Sequence, residues 1–201
     1  MKKLLFIAAI AVGGAAYAQN NHIQSIEIGS NIPMANAGMK SIDGKSVTLS
    51  KAITKQGLLV MFSCNTCPYV IKSEARTKEV IDYATRHNIG MVIINSNEAQ
   101  RGKEDSYNAM SAYAKKQGYK VPYVVDDKSK VADAFGATRT PEVFLFDGNG
   151  KLVYKGAMED NPSSPAESKE LFLKVAIDNM LAGKPANPNS TKSIGCTIKR
   201  I

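Results

Sequence analysis

Two cysteines three positions apart, Cys64 and Cys67, follow the apolar run Gly57-Leu58-Leu59-Val60-Met61-Phe62 and precede a stretch of helical character. Thiols at that spacing can close a small disulfide or open to a reactive thiolate. A helix beginning there leaves backbone N–H groups unpaired, and their partial positive charge favours S⁻ over SH. Redox chemistry is therefore the first expectation, with Cys64 as the exposed, easily ionised sulfur. A third cysteine, Cys196, has no neighbour in sequence. Two roles are open to it: exchange with Cys64 or Cys67, or service as a small hydrophobe, with Ile194 and Ile198, filling an apolar groove. Cysteine's usual burial favours the groove.

The elements that must carry these thiols read as follows. Lys2 and Lys3, the apolar stretch Leu4 to Val12 and Ala16-Tyr17-Ala18 make residues 1–18 a secretory signal, with cleavage expected before Gln19. The stretch is short for a membrane span. Loss of Lys2 and Lys3 takes the formal net charge from +8 to +6. The remaining basic residues are scattered and Trp is absent, a pattern of solvated surface rather than of nucleic-acid binding. Three cysteines are too few for a disulfide scaffold in an exported domain of this size, so the thiols are expected to work rather than staple.

Residues 19–183 are expected to form one domain, and 184–201 a C-terminal tail that carries Cys196, its stretch 184–193 a surface segment rich in Pro, Asn, Ser and Lys. Ile26 to Ile28 reads as an opening strand. Met39–Ile42 and Ser46–Leu49 flank Asp43-Gly44 as a hairpin. Leu58–Phe62 and Gly90–Ile94 are continuous apolar runs, as strands covered on both faces must be. Helices are expected from Pro68 to about Arg86, from Glu104 to Gln117, and from Lys128 to Phe135 behind Asp127. A short strand is expected over Pro122–Val125. Glu142–Phe146 and Lys151–Lys155 flank Asp147-Gly148-Asn149-Gly150 as a second hairpin. Ser164-Pro165-Ala166-Glu167 reads as a capping box opening a last helix that Gly183 closes. This order predicts an α/β fold: three layers, α/β/α, around a mixed sheet with an N-terminal β-hairpin.

A strand, a C-x-x-C opening a helix, then Thr140-Pro141 before a closing hairpin and helix, resembles the thioredoxin superfamily. The leading hairpin and the inserted segment 89–117 resemble its redoxin branch, which holds TlpA-like thiol-disulfide oxidoreductases and thiol-specific antioxidant relatives. Cys64-Asn65-Thr66-Cys67-Pro68-Tyr69-Val70, Ile94-Asn95-Ser96-Asn97, Glu104-Asp105-Ser106 and Ser193-Ile194-Gly195-Cys196-Thr197-Ile198-Lys199 look like one subgroup of that branch. The resemblance implies a thioredoxin-like fold. It implies Cys64 as nucleophile and Cys67 as resolving thiol, with Pro141 in cis and Thr140 before it receiving a substrate strand. It also implies protein dithiol or disulfide substrates, a membrane or periplasmic electron-transfer partner, and a periplasmic setting. Arg139 can stand beside the thiols or in solvent. No cofactor or metal is implied.

Two departures stand out. Ser63 replaces the aromatic residue many relatives carry before the first cysteine, and Gly57–Ser63 holds no acid to shuttle protons. A thiol peroxidase and a Cu(I) carrier are the alternatives on the same fold. The peroxidase pattern of a proline and a hydroxyl residue ahead of the cysteine is missing, as are the wider cysteine spacing and added histidine of copper carriers. His22 and His87 are read as surface or packing residues.

Overall fold

The computed structural model describes residues 23–201, so the expected secretory signal and His22 lie outside the described residues. The chain order is β1 (Met39–Ser41), β2 (Ser46–Val47), α1 (Leu49–Ala52), β3 (Leu58–Ser63), α2 (Pro68–Lys72), α3 (Glu74–Arg86), β4 (Gly90–Asn95), α4 (Tyr107–Gln117), β5 (Tyr123–Val125), α5 (Lys130–Phe135), β6 (Arg139–Thr140), β7 (Glu142–Phe146), β8 (Leu152–Gly156), α6 (Phe172–Leu181) and β9 (Cys196–Thr197). Seven strands form one mixed sheet in the order β2-β1-β5-β4-β3-β7-β8. β3 runs parallel to β4 and antiparallel to β7.

Alternation along β3 sorts the core. Leu58, Val60 and Phe62 pack with α1 and α5 through Leu49, Val131, Ala132 and Phe135. Leu59 and Met61 face the other way, against α3, α4 and α6 through Val80, Ile81, Met110, Leu173 and Ile177. Because successive strand side chains point to opposite faces, a strand apolar at every position must be covered twice. This is the expected three-layer α/β/α fold, with the leading hairpin at one sheet edge.

Several local expectations are corrected. Ile26–Ile28 is not a strand; the Ile26 N–H donates to the Phe135 carbonyl (3.1 Å) and the Gly29 N–H to that of Leu152 (2.8 Å), so the segment straps across the sheet's flank. The helix after Cys67 breaks at Ser73, whose φ of −90° and ψ of 9° lie outside the helical range. The long third helix starts at Tyr107, because the Ser106 hydroxyl caps it by accepting from Ala109 N–H, and ends where Gly118 adopts φ +68°. The Ser164 box opens only a 3-10 turn, Pro165–Glu167. Asp160 draws the next stretch away by accepting from Lys169 N–H (3.0 Å) and donating its own N–H to the Glu170 carbonyl (3.1 Å), so α6 begins at Phe172.

The C-terminal tail packs on the domain, and its Ile198 fills an apolar groove as expected. Ser190 bridges to Lys155, Thr191 packs on Tyr154 with their hydroxyls 2.7 Å apart, and Ile198 is buried in the core with α1 and α5. Residues 190–200 are thus part of the domain.

The core carries a titratable consequence. Burial pushes the phenols of Tyr119 and Tyr154 up to about 12, and raises those of Tyr113 and Tyr123 as well. Unfolded, each phenol ionises near 10.0. Between those values the unfolded chain releases protons that the folded one holds, so stability is full below pH 10 and falls as pH rises toward 12. The melting temperature is expected to drop over this window, and tyrosinate absorbance to rise with unfolding. Tyrosines that all titrate near 10 in the folded protein would contradict this.

Candidate active site

β3 ends at Ser63 and the chain turns through Cys64–Cys67 into α2, with Pro68 in its first turn. Pro costs little there, since a first-turn N–H has no partner within the helix. Across from this turn the Thr140–Pro141 peptide is cis, as expected for Pro141. The Cys64 Sγ and the Thr140 hydroxyl are hydrogen-bonded at 3.4 Å, and the Cys67 Sγ lies 3.3 Å from the Thr140 carbonyl oxygen. Thr140 thus touches both sulfurs.

The cysteine pairing differs from the expectation. Cys67 and Cys196 sit at disulfide distance, their Cα atoms 6.0 Å apart, within the usual range for a bridge. Cys64 is the free thiol. The groove-filling role favoured for Cys196 is therefore replaced by a covalent one. The expected exposure of Cys64 is corrected too: it is 1% exposed and Cys67 4%, while Cys196 is half-buried. Burial pushes the Cys64 thiol above its ordinary value. The Thr140 hydroxyl and the backbone N–H groups of Cys67 and Thr66 pull it down, and the Asp105 charge raises it further. The helix-start effect read from the sequence is present, but burial outweighs it.

All three cysteines line one cleft of about 320 Å³, shared with Thr66, Pro68, Asn97 and Lys199. Arg139 does not stand over the thiols. Its exposed guanidinium donates to the Thr197 hydroxyl (2.8 Å) and so holds β9.

The fully buried Asp105 is a residue sequence reasoning missed. One of its carboxylate oxygens accepts from the Asn65 N–H (2.9 Å) and from Asn95 Nδ2 (2.7 Å); the other accepts from Asn97 Nδ2 (2.9 Å). The Tyr123 hydroxyl accepts from Asn95 Nδ2 and donates to Asn65 Oδ1, both at 2.9 Å. Asn97 Oδ1 in turn accepts the Lys199 N–H (2.9 Å). One polar network therefore ties the cysteine turn to the end of β4 and to the segment carrying Cys196. The signal was three amides and an acid just beyond an apolar strand. On the other side, the Glu142 carboxylate accepts from Thr138 N–H, Arg139 N–H and the Ser193 hydroxyl (2.8, 3.0 and 3.1 Å). Among the described residues no cluster of three or more His, Cys, Asp or Glu is arranged to hold a metal. Likewise, no described helix is long and apolar enough to cross a membrane.

The Redoxin family model matches residues 27–170. A hypothetical protein from Sinorhizobium meliloti is 35% identical, with a TM-score of 0.77 over 89% of this chain and 97% of its own. An uncharacterised conserved protein from Geobacillus kaustophilus is 31% identical, with a TM-score of 0.78 over 87% and 93%. A thiol-disulfide oxidoreductase from Bacteroides fragilis shares the fold at 16% identity, with a TM-score of 0.54 over 68% and 96%. None of the curated proteins matches the chain.

Proposed function

The chain belongs to the Redoxin family, and on that footing we propose that it is an exported thiol-disulfide oxidoreductase exchanging disulfides with protein partners. The observation that carries the reading is the convergence of Cys64, Cys67 and Cys196 on one cleft beside Thr140 and cis-Pro141. Export is supported by Lys2, Lys3, the apolar stretch Leu4–Val12 and Ala16-Tyr17-Ala18.

The Cys67–Cys196 bridge is the oxidised form. A thiolate from a dithiol partner attacks the Cys196 sulfur, the less buried of the two, and expels Cys67 as thiolate. The partner's second thiol then displaces Cys196, and the partner leaves oxidised. Two protons and two electrons have passed to Cys67 and Cys196. Cys64 and Cys67 then stand together as a reduced pair. Cys64 attacks a substrate disulfide, Cys67 resolves the mixed disulfide, and the reduced substrate leaves behind a Cys64–Cys67 bond. The Cys196 thiolate then attacks the Cys67 sulfur and releases Cys64, which restores the Cys67–Cys196 bridge.

Insulin reduction driven by dithiothreitol tests the reading. The wild-type protein is expected to exceed the dithiothreitol background, and Cys64→Ser to lose that excess. Equal rates for both proteins would reject thiol catalysis.

A further inference from the structure

β9 pairs antiparallel with β6, Arg139 opposite Thr197 and Thr140 opposite Cys196. An unpaired strand edge offers a row of N–H and C=O groups that recruits another strand. Here the recruiting edge lies against the two active sulfurs, and it is filled by the chain's own segment. The fit is close. A Cβ at Gly195 would lie 2.2 Å from the Thr140 carbonyl oxygen and 3.3 Å from the Pro141 nitrogen, so only glycine lets the strand approach the cis peptide this nearly. Cys64 and Cys67 are buried, and Cys196 of β9 packs against them.

We propose that β9 is a redox-latched cap: it fills the β6 edge in place of a partner protein's strand, the Cys67–Cys196 bond holds it there, and reduction of that bond opens the edge. The proposal rests on the exchange reading and assigns its regulation. The latch opens by the reaction already balanced above: an external dithiol is oxidised to its disulfide, and Cys67 and Cys196 each gain a proton and an electron. Once the bond is cut, residues 194–197 are held by a two-residue ladder, the Arg139–Thr197 contact and the Ser193–Glu142 hydrogen bond. Each side-chain contact is a single hydrogen bond to one charged group, so few interactions remain to hold the strand. Ile194 and Thr197 are exposed, so lifting them uncovers little core. Ile198 stays in the core and Lys199 N–H on Asn97, which gives the segment a fixed pivot.

The full-length protein tests this by iodoacetamide labelling, with the modified position read by mass spectrometry, and by hydrogen exchange at residues 194–197. In the oxidised wild type Cys64 is the free thiol and is expected to label about tenfold or more slowly than in the reduced protein. Gly195→Ala, which keeps every cysteine, is expected to raise Cys64 labelling in the oxidised state by displacing the strand. Reduced Cys196→Ser is expected to label at Cys64 as fast as the reduced wild type and to exchange amides at 194–197 as readily. It also decides the matter if Gly195→Ala does not fold. Equal Cys64 labelling and equal amide exchange in oxidised and reduced wild type would overturn the cap, even with insulin turnover intact. The labelling pattern without insulin turnover in any variant would keep the cap and remove the exchange reading.

Discussion

Cys67→Ser is expected to bring insulin reduction down to the dithiothreitol background, because the resolving sulfur is lost, whereas Cys196→Ser keeps turnover. The reason is the position of Cys67 in the site. It is bridged to Cys196 in the structure and stands one turn from Cys64 in the C-x-x-C. Removing Cys196 leaves the Cys64–Cys67 couple, whereas removing Cys64 leaves the Cys67–Cys196 bridge without the attacking thiol, so that variant loses turnover as well. Removing Cys67 leaves two thiols, neither with its bridging partner, and exchange needs a second sulfur to resolve the mixed disulfide. Steady-state turnover of the three serine variants, each checked for folding by circular dichroism, orders them. Turnover of Cys67→Ser equal to wild type would show that Cys64 and Cys196 act as the pair.

Asp105→Leu is expected to cost about 3–5 kcal/mol of stability, since it strands buried donors that a charged acceptor now satisfies. These are the Asn65 N–H, Asn95 Nδ2 and Asn97 Nδ2; Asn95 Nδ2 alone keeps a second partner, in Tyr123. The loss is read from urea unfolding as a lower midpoint at constant slope. Asp105→Asn separates this structural role from an electrostatic one. The Asp105 charge raises the Cys64 thiol, so removing it lets the thiolate form at lower pH. The alkylation profile of Cys64 in reduced Asp105→Asn should shift to lower pH than in reduced wild type. An unchanged profile would confine Asp105 to holding the turn.

What the sequence made legible was local. The apolar runs of β3 and β4, the Asp43-Gly44 and Asp147-Gly148 turns and the Gly118 stop depend on neighbours a few residues apart. They appear where expected, and with them the three-layer fold. The cis peptide at Pro141 followed from the family resemblance. What stayed hidden depends on distant partners. Cys196 lies 129 positions from Cys67, and no periodicity connects them. Asp105 is one acid in the run Glu104-Asp105, and only the fold turns it inward upon Asn65. The lowered thiolate expected of Cys64 failed for a related reason. A helix start can be read from a proline, but the burial of Cys64 comes from distant packing, Cys196 included, that no local pattern announces. The Ser164 box fails because Asp160, outside it, takes the following backbone.

The sulfur arrangement also bears on how the chain is made. Synthesis delivers Cys64 and Cys67 together and Cys196 only 129 residues afterwards. Any bridge formed on the emerging chain before then can join only the near pair. Where that near bridge has formed, the observed linkage is reached when the late-arriving Cys196 thiolate strikes the Cys67 sulfur and releases Cys64, the very thiol found unbonded. Maturation of each new molecule would then run the same sulfur swap that the finished protein is suited to perform on others.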